Sequence, residues 1–207
     1  MGRRMRLTGF LKAEHYESDV CFDSDPVHGI IVIKKYKTDN ECVRWLNRHL
    51  SQYYETSSGQ PVGQHEFAAL QLLEPYGFVP KVVDLQPDSL VMEFAGNPVS
   101  PEAPVKIETY LNECRHVLKI FAKLKFSHND LRPANVLLHG GKVKIIDFTL
   151  SEFGDVQIMK DLPNPNWARA GQDDDILTFM SPRSQRPTAG FGRVRKFLKK
   201  IGFAPGA

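Results

Sequence analysis

Residues 128–135 read His-Asn-Asp-Leu-Arg-Pro-Ala-Asn, and residues 144–148 read Lys-Ile-Ile-Asp-Phe. An apolar run at 136–138 follows the first string, and a His-Gly-Gly segment separates it from a second run at 143–146. Apolar runs on either side of a glycine-rich turn are typical of a β-hairpin. The sequence therefore predicts that a short hairpin joins the two polar strings.

The rest of the chain alternates short strands with helices. Short runs of β-branched residues predict strands, and apolar residues at three- and four-residue steps predict helices with one buried face. The periodicity fades beyond residue 153, and the Ser-, Pro- and Gly-rich residues 181–192 predict a flexible linker. The predicted elements are two or three antiparallel strands within 6–37, strands at 81–85 and 89–94, and helices at 40–54, 64–73, 107–124 and 174–180.

Basic charge is concentrated near the end of the chain. The formal net charge is +3, but residues 181–207 hold seven basic side chains and no acidic one, so residues 1–180 carry −4. This distribution argues against a general nucleic-acid-binding surface, and no specific nucleic acid is expected as a partner. Residues 193–203 predict a helix with one apolar and one cationic face, which suits an anionic membrane surface. Packing of that face on the protein itself is the alternative.

The cysteines and the hydropathy indicate a reducing compartment. Cys21, Cys42 and Cys114 are odd in number and widely spaced, which suits buried free thiols better than a disulfide framework. No stretch approaches the ~20 apolar residues that a membrane-spanning helix requires. We therefore expect a cytoplasmic protein, with the segment at 193–203 as a peripheral contact with the inner face of a membrane.

The two polar strings resemble the catalytic loop and the metal-binding element of protein kinases. In that family His-x-Asp-Leu-x-x-x-Asn is followed, after one short hairpin, by Asp-Phe-Gly. The resemblance implies transfer of the terminal phosphoryl group of ATP, with Mg²⁺ bridging the phosphates. Asp130 would take the proton of the acceptor hydroxyl, and Arg132 would place positive charge against the moving phosphoryl group. Asn135, in the same catalytic loop, and Asp147 would supply the oxygen ligands that Mg²⁺ requires.

A strand lysine and a helical glutamate extend the resemblance toward the N terminus. Residues 31–34, Ile-Val-Ile-Lys, resemble the family's Val-Ala-Ile-Lys strand, so Lys34 would belong to the ATP site. Glu66, at the head of the second predicted helix, would hold this lysine by an ion pair. Lys35 is the competing assignment, because neighbouring strand residues point to opposite faces.

Residues 89–96, Ser-Leu-Val-Met-Glu-Phe-Ala-Gly, resemble the strand and connector that join the two lobes of a kinase. Met92 would flank the adenine ring. Glu93, Phe94 and Ala95 would offer backbone groups to the edge of the base. An ordinary buried strand that leaves into a glycine turn is the alternative.

Three features depart from the family's pattern. The Gly-rich loop over the phosphates is not recognisable, and the best alignment places its turn at Glu17-Ser18, ahead of a strand at 19–22. A turn without glycine cannot bring its amides as close to phosphate. Thr149 replaces the Gly after Asp-Phe, and Asn129 replaces the Arg that reads a phosphorylated activation loop in many relatives. The last two replacements suggest a constitutively set site.

The resemblance implies an α+β, protein-kinase-like fold with two lobes. The N-lobe, an antiparallel sheet plus a helix that binds the nucleotide, would span residues 1–96. A reduced, mainly helical C-lobe with the catalytic loop would span residues 97–180, because only 60 residues follow Asp147. Residues 181–207 would form the basic tail.

The identity of the acceptor hydroxyl stays open between two classes. The form Asp-Leu-Arg-Pro-Ala-Asn favours a Ser/Thr hydroxyl of a protein, whereas the small size favours a small molecule or a lipopolysaccharide sugar. The unrecognised Gly-rich loop also suggests a pseudokinase that binds without turnover, and the metal ligands could support transfer of AMP if ATP bound in reverse. The joint presence of Lys34, Glu66, Asp130, Asn135 and Asp147 favours an active phosphotransferase.

Overall fold

A computed structural model describes residues 13–14, 17–98 and 107–167 of the chain. Within these residues the chain forms two antiparallel sheets and three α-helices. The strands are β1 (Ala13–Glu14), β2 (Ser18–Asp25), β3 (Gly29–Tyr36), β4 (Val82–Leu85), β5 (Ser89–Glu93), β6 (Asn97–Pro98), β7 (Val136–His139) and β8 (Lys142–Ile145). The helices are α1 (Glu41–Leu50), α2 (Pro61–Leu73) and α3 (Ile107–Leu124).

The N-terminal sheet has the order β1-β2-β3-β5-β4, and every neighbouring pair is antiparallel. β3 is the central strand because β-branched residues fill it and both of its edges are paired. Lys34 on β3 lies opposite Val20 of β2 and opposite Leu90 of β5. The antiparallel strands predicted within 6–37 are therefore confirmed for the described residues, and Lys34 lies in the interior of the sheet.

The two helices between β3 and β4 differ from their predicted bounds. The helix predicted at 64–73 begins three residues earlier, at Pro61, because proline needs no hydrogen-bond acceptor in the first helical turn. The helix predicted at 40–54 ends at Leu50, and the backbone turns over the next residues. This turn brings the hydroxyl of Tyr54 to 3.0 Å from Nδ1 of His65 on α2, so the segment after α1 packs against α2.

Packing of α1 against α2 follows from the sequence of each helix. The side chain of Asn40 caps α1 by accepting a hydrogen bond from the backbone N–H of Val43, at 3.1 Å. The face of α1 that contains Cys42, Leu46 and Leu50 is fully buried. Helix α2 also contacts β4 and β5, so it packs on the N-terminal sheet with α1 against it.

The second sheet has the order β6-β7-β8 and carries the predicted hairpin. His139 pairs with Lys142, so Gly140 and Gly141 alone form the turn, with φ of 56° and 78°. Two consecutive left-handed residues are the requirement of a type I′ turn, which glycine meets without strain. The bounds of α3 coincide with the predicted 107–124, and α3 packs against β8.

An aromatic cluster links α3 with the two polar strings. Phe121 of α3 packs against Phe126 at 4.8 Å between ring centroids, and Phe126 packs edge-to-face on Phe148 at 5.9 Å. The imidazole of His128 lies 4.8 Å from the ring of Phe148. All four side chains are buried, so the core of the second lobe lies directly beneath Asp130 and Asp147.

Several sequence expectations fall outside the described part of the chain. The helix at 174–180, the linker at 181–192 and the basic segment at 193–203 lie there. None of the helices in the described ranges is both long and apolar enough to cross a membrane.

Gly96 is the residue whose replacement we expect to disturb the fold most directly. Its φ is +105°, and a Cβ atom there would lie 2.1 Å from the carbonyl oxygen of Leu138. Gly96→Ala should therefore lower the free energy of unfolding by about 3 kcal/mol, measured by urea denaturation, because both strain and overlap oppose it.

Gly29→Ala is the matched control for this prediction. Gly29 also has a positive φ, +71°, but no atom lies within 4 Å of the added Cβ. We expect a loss of only about 1 kcal/mol there, from backbone strain alone. Equal losses in the two variants would show that the contact with Leu138 is unimportant.

Candidate active site

The centre of the site is a lysine held between two carboxylates. Nζ of Lys34 lies 2.7 Å from Oε2 of Glu66 and 2.7 Å from Oδ1 of Asp147. Lys34 and Glu66 are buried, with side-chain exposures of 8% and 1%, so solvent screens their attraction weakly. Burial alone would lower the pKa of Lys34, but the charges of Asp147 and Glu66 outweigh it and raise this pKa. Lys34 is therefore a permanent cation.

The alternative lysine lies on the opposite face of β3. The side chain of Lys35 is 62% exposed, and its Nζ contacts Oδ2 of Asp88 at 2.7 Å. Because successive strand residues alternate between faces, only one of the two lysines can reach α2. The structure brings Lys34 to Glu66 and leaves Lys35 at the surface.

Glu66 lies in the second turn of α2, not at its head, because the helix begins at Pro61. Its Oε2 accepts hydrogen bonds from Lys34 and from the hydroxyl of Tyr36, both at 2.7 Å. Its Oε1 accepts a hydrogen bond from the backbone N–H of Phe148 at 3.3 Å. One carboxylate thus links α2, strand β3 and the segment that contains Asp147.

His128 and Asn129 fix the catalytic loop by their side chains. The backbone N–H of Asp130 lies 3.3 Å from Nδ1 of His128, and Nε2 of the same ring lies 3.1 Å from the carbonyl of Ile146. The two contacts fit one neutral tautomer, with the proton on Nε2. The amide of Asn129 donates to the carbonyl of Leu150 at 2.9 Å. The loop is therefore tied on both sides of Asp147.

The predicted loop residues Asp130, Arg132 and Asn135 converge on one carboxylate. Oδ2 of Asp130 accepts from Nε of Arg132 at 3.1 Å and from Nδ2 of Asn135 at 3.0 Å. Oδ1 is buried and has no hydrogen-bond partner among the described residues. Burial, followed by the charge of Asp147, raises the pKa of Asp130, while Arg132 opposes the shift. One oxygen of Asp130 is therefore held in place and the other is available to a ligand.

Two residues of the site have a left-handed backbone. Asn129 has φ of 63° and Asp147 has φ of 69°, which costs free energy for residues with a Cβ. The hydrogen bonds of Asn129 to Leu150 and of Phe148 to Glu66 hold these conformations. Such strain is typical of functional loops, and here it aims the carboxylate of Asp147 at Lys34.

Glu17 enters the site from the strand turn that sequence reasoning assigned to the phosphates. Its Oε2 accepts a hydrogen bond from Oγ1 of Thr149 at 3.2 Å, and Oε1 lies 3.6 Å from Sγ of Cys42. Oγ1 of Thr149 also lies 3.2 Å from Oδ1 of Asp147. Ser18, which we expected in the turn, is already the first residue of β2.

Two backbone N–H groups of the connector donate hydrogen bonds within the protein. The N–H of Glu93 donates to the carbonyl of Lys81 at 2.9 Å, and that of Phe94 donates to the carbonyl of Ile30 at 3.0 Å. Both N–H groups are therefore used within the protein, and the expectation that Glu93 and Phe94 contact the base through backbone groups stays a prediction. Ala95 is buried just beyond them.

The side chains of the connector pack within the N-terminal sheet. Met92 is buried on β5, next to the predicted adenine position. The ring of Phe94 makes an edge contact with Phe22 on β2, at 6.2 Å. The carboxylate of Glu93 lies 3.2 Å from Nδ1 of His28 in the β2–β3 turn.

Comparison with known proteins assigns the chain to a family. A family model described as the RIO domain matches residues 22–152, which is more than half of the chain. The chain belongs to the RIO domain family. The match contains the Lys34–Glu66–Asp147 cluster and the whole catalytic loop, but it begins after Glu17. No curated protein matches the chain in sequence.

Two solved structures of a RIO kinase share the fold. The Rio2 kinase from Chaetomium thermophilum in complex with ADP/Mg²⁺-phosphoaspartate has a TM-score of 0.55 and 19% identity. The alignment covers 94% of this chain and 66% of that one. A second structure of the same kinase gives a TM-score of 0.56 and 20% identity, covering 93% and 66%. The predicted α+β, protein-kinase-like fold is confirmed, and the chain spans about two thirds of the length of these relatives.

Sequence reasoning missed two side chains of this RIO domain site. Tyr36 lies two residues after Lys34 and therefore on the same face of β3, a spacing that could have identified it. The hydroxyl of Thr149 was interpreted only as the loss of a glycine, although it joins Glu17 to Asp147. Neither contact follows from a motif, because each depends on residues distant in sequence.

Glu17→Gln should make the stability of the RIO domain less dependent on pH. Burial, then the charge of Asp147, raises the pKa of Glu17 from 4.5 to about 7. The folded chain therefore binds more protons than the unfolded chain between these values, and stability falls as pH rises through this window. Without nucleotide or Mg²⁺, the variant should melt about 2–4 °C above the wild type near pH 8 and at a similar temperature near pH 5.

Differential scanning fluorimetry at the two pH values measures this difference. Glu74→Gln, which removes an exposed carboxylate just after α2, is the control and should shift Tm equally at both. If Glu17→Gln has the same Tm as the wild type near pH 8, the electrostatic interpretation of this contact is contradicted.

Proposed function

We propose that this RIO domain is an ATP- and Mg²⁺-dependent phosphotransferase that transfers the terminal phosphoryl group to a Ser/Thr hydroxyl of a protein. The observation that carries the proposal is the position of Nζ of Lys34, 2.7 Å from both Glu66 and Asp147. Glu66 is 32 positions and Asp147 is 113 positions from Lys34 in the sequence, so no local structure brings the three residues together. The fold alone builds this cluster.

The charges in the site support a divalent cation bound together with phosphates. The carboxylates of Glu17, Glu66, Asp130 and Asp147 face the cations Lys34 and Arg132, which leaves an excess of negative charge. Among the described residues, no three His, Cys, Asp or Glu side chains are placed to hold a metal by themselves. Mg²⁺ typically uses one or two protein oxygens and completes its shell with phosphate and water.

Asn135 and Asp147 are the residues that would hold Mg²⁺. Both offer oxygen donors, which suit a hard cation. Bound there, Mg²⁺ would neutralise charge on the phosphates during transfer. The amide nitrogen of Asn135 donates to Asp130, at 2.8 Å to its carbonyl and 3.0 Å to Oδ2, so the orientation of this side chain is fixed before any ligand arrives.

Asp130 would orient the acceptor hydroxyl and accept its proton. Its Oδ1 is buried without a partner in the described residues, and an unsatisfied buried carboxylate oxygen favours a donor such as a hydroxyl. The raised pKa of Asp130 makes it a better proton acceptor than an exposed aspartate. Arg132, 3.1 Å from the other oxygen, opposes the rise in the pKa of Asp130 and would add positive charge beside the transferred group.

A protein acceptor is favoured over a sugar by the relatives and by the catalytic loop. The similar structures are named as Rio2 kinase, and the loop sequence Asp-Leu-Arg-Pro-Ala-Asn resembles that of protein kinases. We therefore expect a protein hydroxyl to accept label before any glycan does.

A phosphorylated carboxylate of the chain itself is the second candidate. One Rio2 structure is described as holding ADP, Mg²⁺ and a phosphoaspartate. Asp130 and Asp147 both lie in the site of this RIO domain, and the first has an oxygen without a partner among the described residues. An aspartyl phosphate is labile to hydroxylamine, whereas a phosphoserine or phosphothreonine is not, so lability distinguishes the two products.

Incubation with Mg²⁺ and ATP labelled separately at the α and γ positions tests the proposal. We expect label only from the γ position. Asp147→Asn and Lys34→Met should each lower kcat/KM by about 10²-fold or more, because they remove a metal ligand or a charge next to the phosphates. Asp130→Asn should cost about 10²–10⁴-fold.

Lys35→Met is the matched control for Lys34→Met. It removes a lysine from the same strand, but from the exposed face, and should change kcat/KM by no more than about twofold. Label from the α position would indicate AMP transfer instead. Absence of label from both positions, on protein and glycan acceptors alike, would indicate a binding module without turnover.

A further inference from the structure

We infer that Tyr36 is a positioning residue of this site: its hydroxyl fixes the carboxylate of Glu66, which in turn aligns Lys34 and the backbone of Phe148. Tyr36 touches no group that would react, and its hydroxyl acts through Glu66. The importance of this alignment for ATP rests on the function proposed above, whereas the alignment itself does not.

The hydrogen bonds of Glu66 show why a third donor matters. Lys34 is shared between Glu66 and Asp147, at 2.7 Å from each. Lys34 alone would therefore leave Glu66 free to follow any movement of the lysine toward Asp147. The hydroxyl of Tyr36 binds Oε2 of Glu66 at 2.7 Å from a side chain that makes no ion pair. It holds the carboxylate on the β3 side independently of the lysine.

The ring of Tyr36 is itself fixed by its surroundings. Tyr36 is 2% exposed, and its backbone N–H donates to the carbonyl of Asp88 at 3.1 Å. Gly63 of α2 lies one helical turn before Glu66, and a Cβ atom there would lie 3.1 Å from Cε2 of Tyr36. A glycine inside a helix costs about 1 kcal/mol relative to alanine. The need to leave space for the Tyr36 ring explains why a glycine occupies position 63.

The hydroxyl of Tyr36 holds its proton more tightly than that of an exposed tyrosine. Burial, followed by the charge of Glu66, raises its pKa well above the usual value. Nζ of Lys34 lies 5.5 Å from the centre of the ring, which adds a favourable contact between the cation and the aromatic face. The donor and the cation therefore approach Glu66 from one face of β3.

Tyr54, a second tyrosine whose hydroxyl contacts α2, provides a matched control. Its hydroxyl also bonds a side chain of α2, Nδ1 of His65 at 3.0 Å. His65 is adjacent to Glu66 in sequence, but its ring nitrogen contacts Ser151 instead of the lysine. Tyr54→Phe thus removes a tyrosine hydroxyl that contacts α2, but it removes no donor to Glu66.

The first measurement needs no nucleotide. The amide hydrogen of Phe148 donates to Oε1 of Glu66, so its exchange with deuterium, followed by NMR, reports how well Glu66 is held. The amide of Ile145, which donates to Phe78 at 2.7 Å, serves as the reference for general stability. The ratio of the exchange rate of Phe148 to that of Ile145 should be about tenfold higher in Tyr36→Phe than in the wild type. This size is what the loss of a hydrogen bond to a charged group would give. Tyr54→Phe should change this ratio by less than about twofold.

The second measurement is the affinity for Mg²⁺·ATP, by titration calorimetry. Tyr36→Phe should raise Kd about tenfold, and the same change in a Glu66→Gln background should add less than about twofold, because the two residues act as one unit. Gly63→Ala should also raise Kd by pressing on the Tyr36 ring, although alanine is the better helix former.

The two measurements separate this inference from the proposed function. Unchanged exchange of Phe148 in Tyr36→Phe, or an equal change in Tyr54→Phe, would overturn the role of Tyr36 whatever the value of Kd. Faster exchange of Phe148 in a protein that does not bind Mg²⁺·ATP would instead reject the proposed function and leave the role of Tyr36 intact. Additive effects of Tyr36→Phe and Glu66→Gln on Kd would show that Tyr36 acts on nucleotide binding by another route.

Discussion

The buried contact of one lysine with two carboxylates is the constraint on which the rest of the structure depends. Removing a cation and two anions from water is costly, and the mutual attraction offsets this cost only when the geometry is close and the remaining oxygens are hydrogen-bonded. Lys34, Glu66 and Asp147 satisfy both conditions with distances of 2.7 Å and with Tyr36 and Phe148 as further donors. Strand β3, helix α2 and the segment after β8 therefore have to lie where they do.

The catalytic loop follows from the same requirement. The carboxylate of Asp147 can face the lysine only with a left-handed backbone, φ 69°, which the chain must hold in place. His128 and Asn129 do so by bonding the carbonyls of Ile146 and Leu150 on either side. The replacement of the usual arginine by Asn129 is thus accompanied by an internal hydrogen bond. A constitutively set site, expected from this replacement, stays a prediction.

Much of the fold and of the central cluster could be predicted from the sequence, because both depend on short motifs and on periodicity. The β7–β8 hairpin, α3 and the choice of Lys34 with Glu66 and Asp147 all lie in segments where spacing restricts the possibilities. The start of α2 was predicted three residues late because the proline was interpreted as a break instead of a first helical residue.

Contacts between distant segments were less predictable. The bonds of Glu17 to Thr149 and of Tyr36 to Glu66 join residues 132 and 30 positions apart. The hydrogen bonds that the N–H groups of Glu93 and Phe94 donate to Lys81 and Ile30 are of the same kind, since they form only in the folded sheet. Patterns along a chain show which residues share a face, but they do not show which atoms of two faces meet.

The close approach of Gly96 to Leu138 has a consequence for how the cleft can move. The chain leaves β5, passes Gly96 and enters β6 at once, and β6 is hydrogen-bonded to β7. Because no residue separates Gly96 from β6, the connection between the two sheets has little freedom to bend.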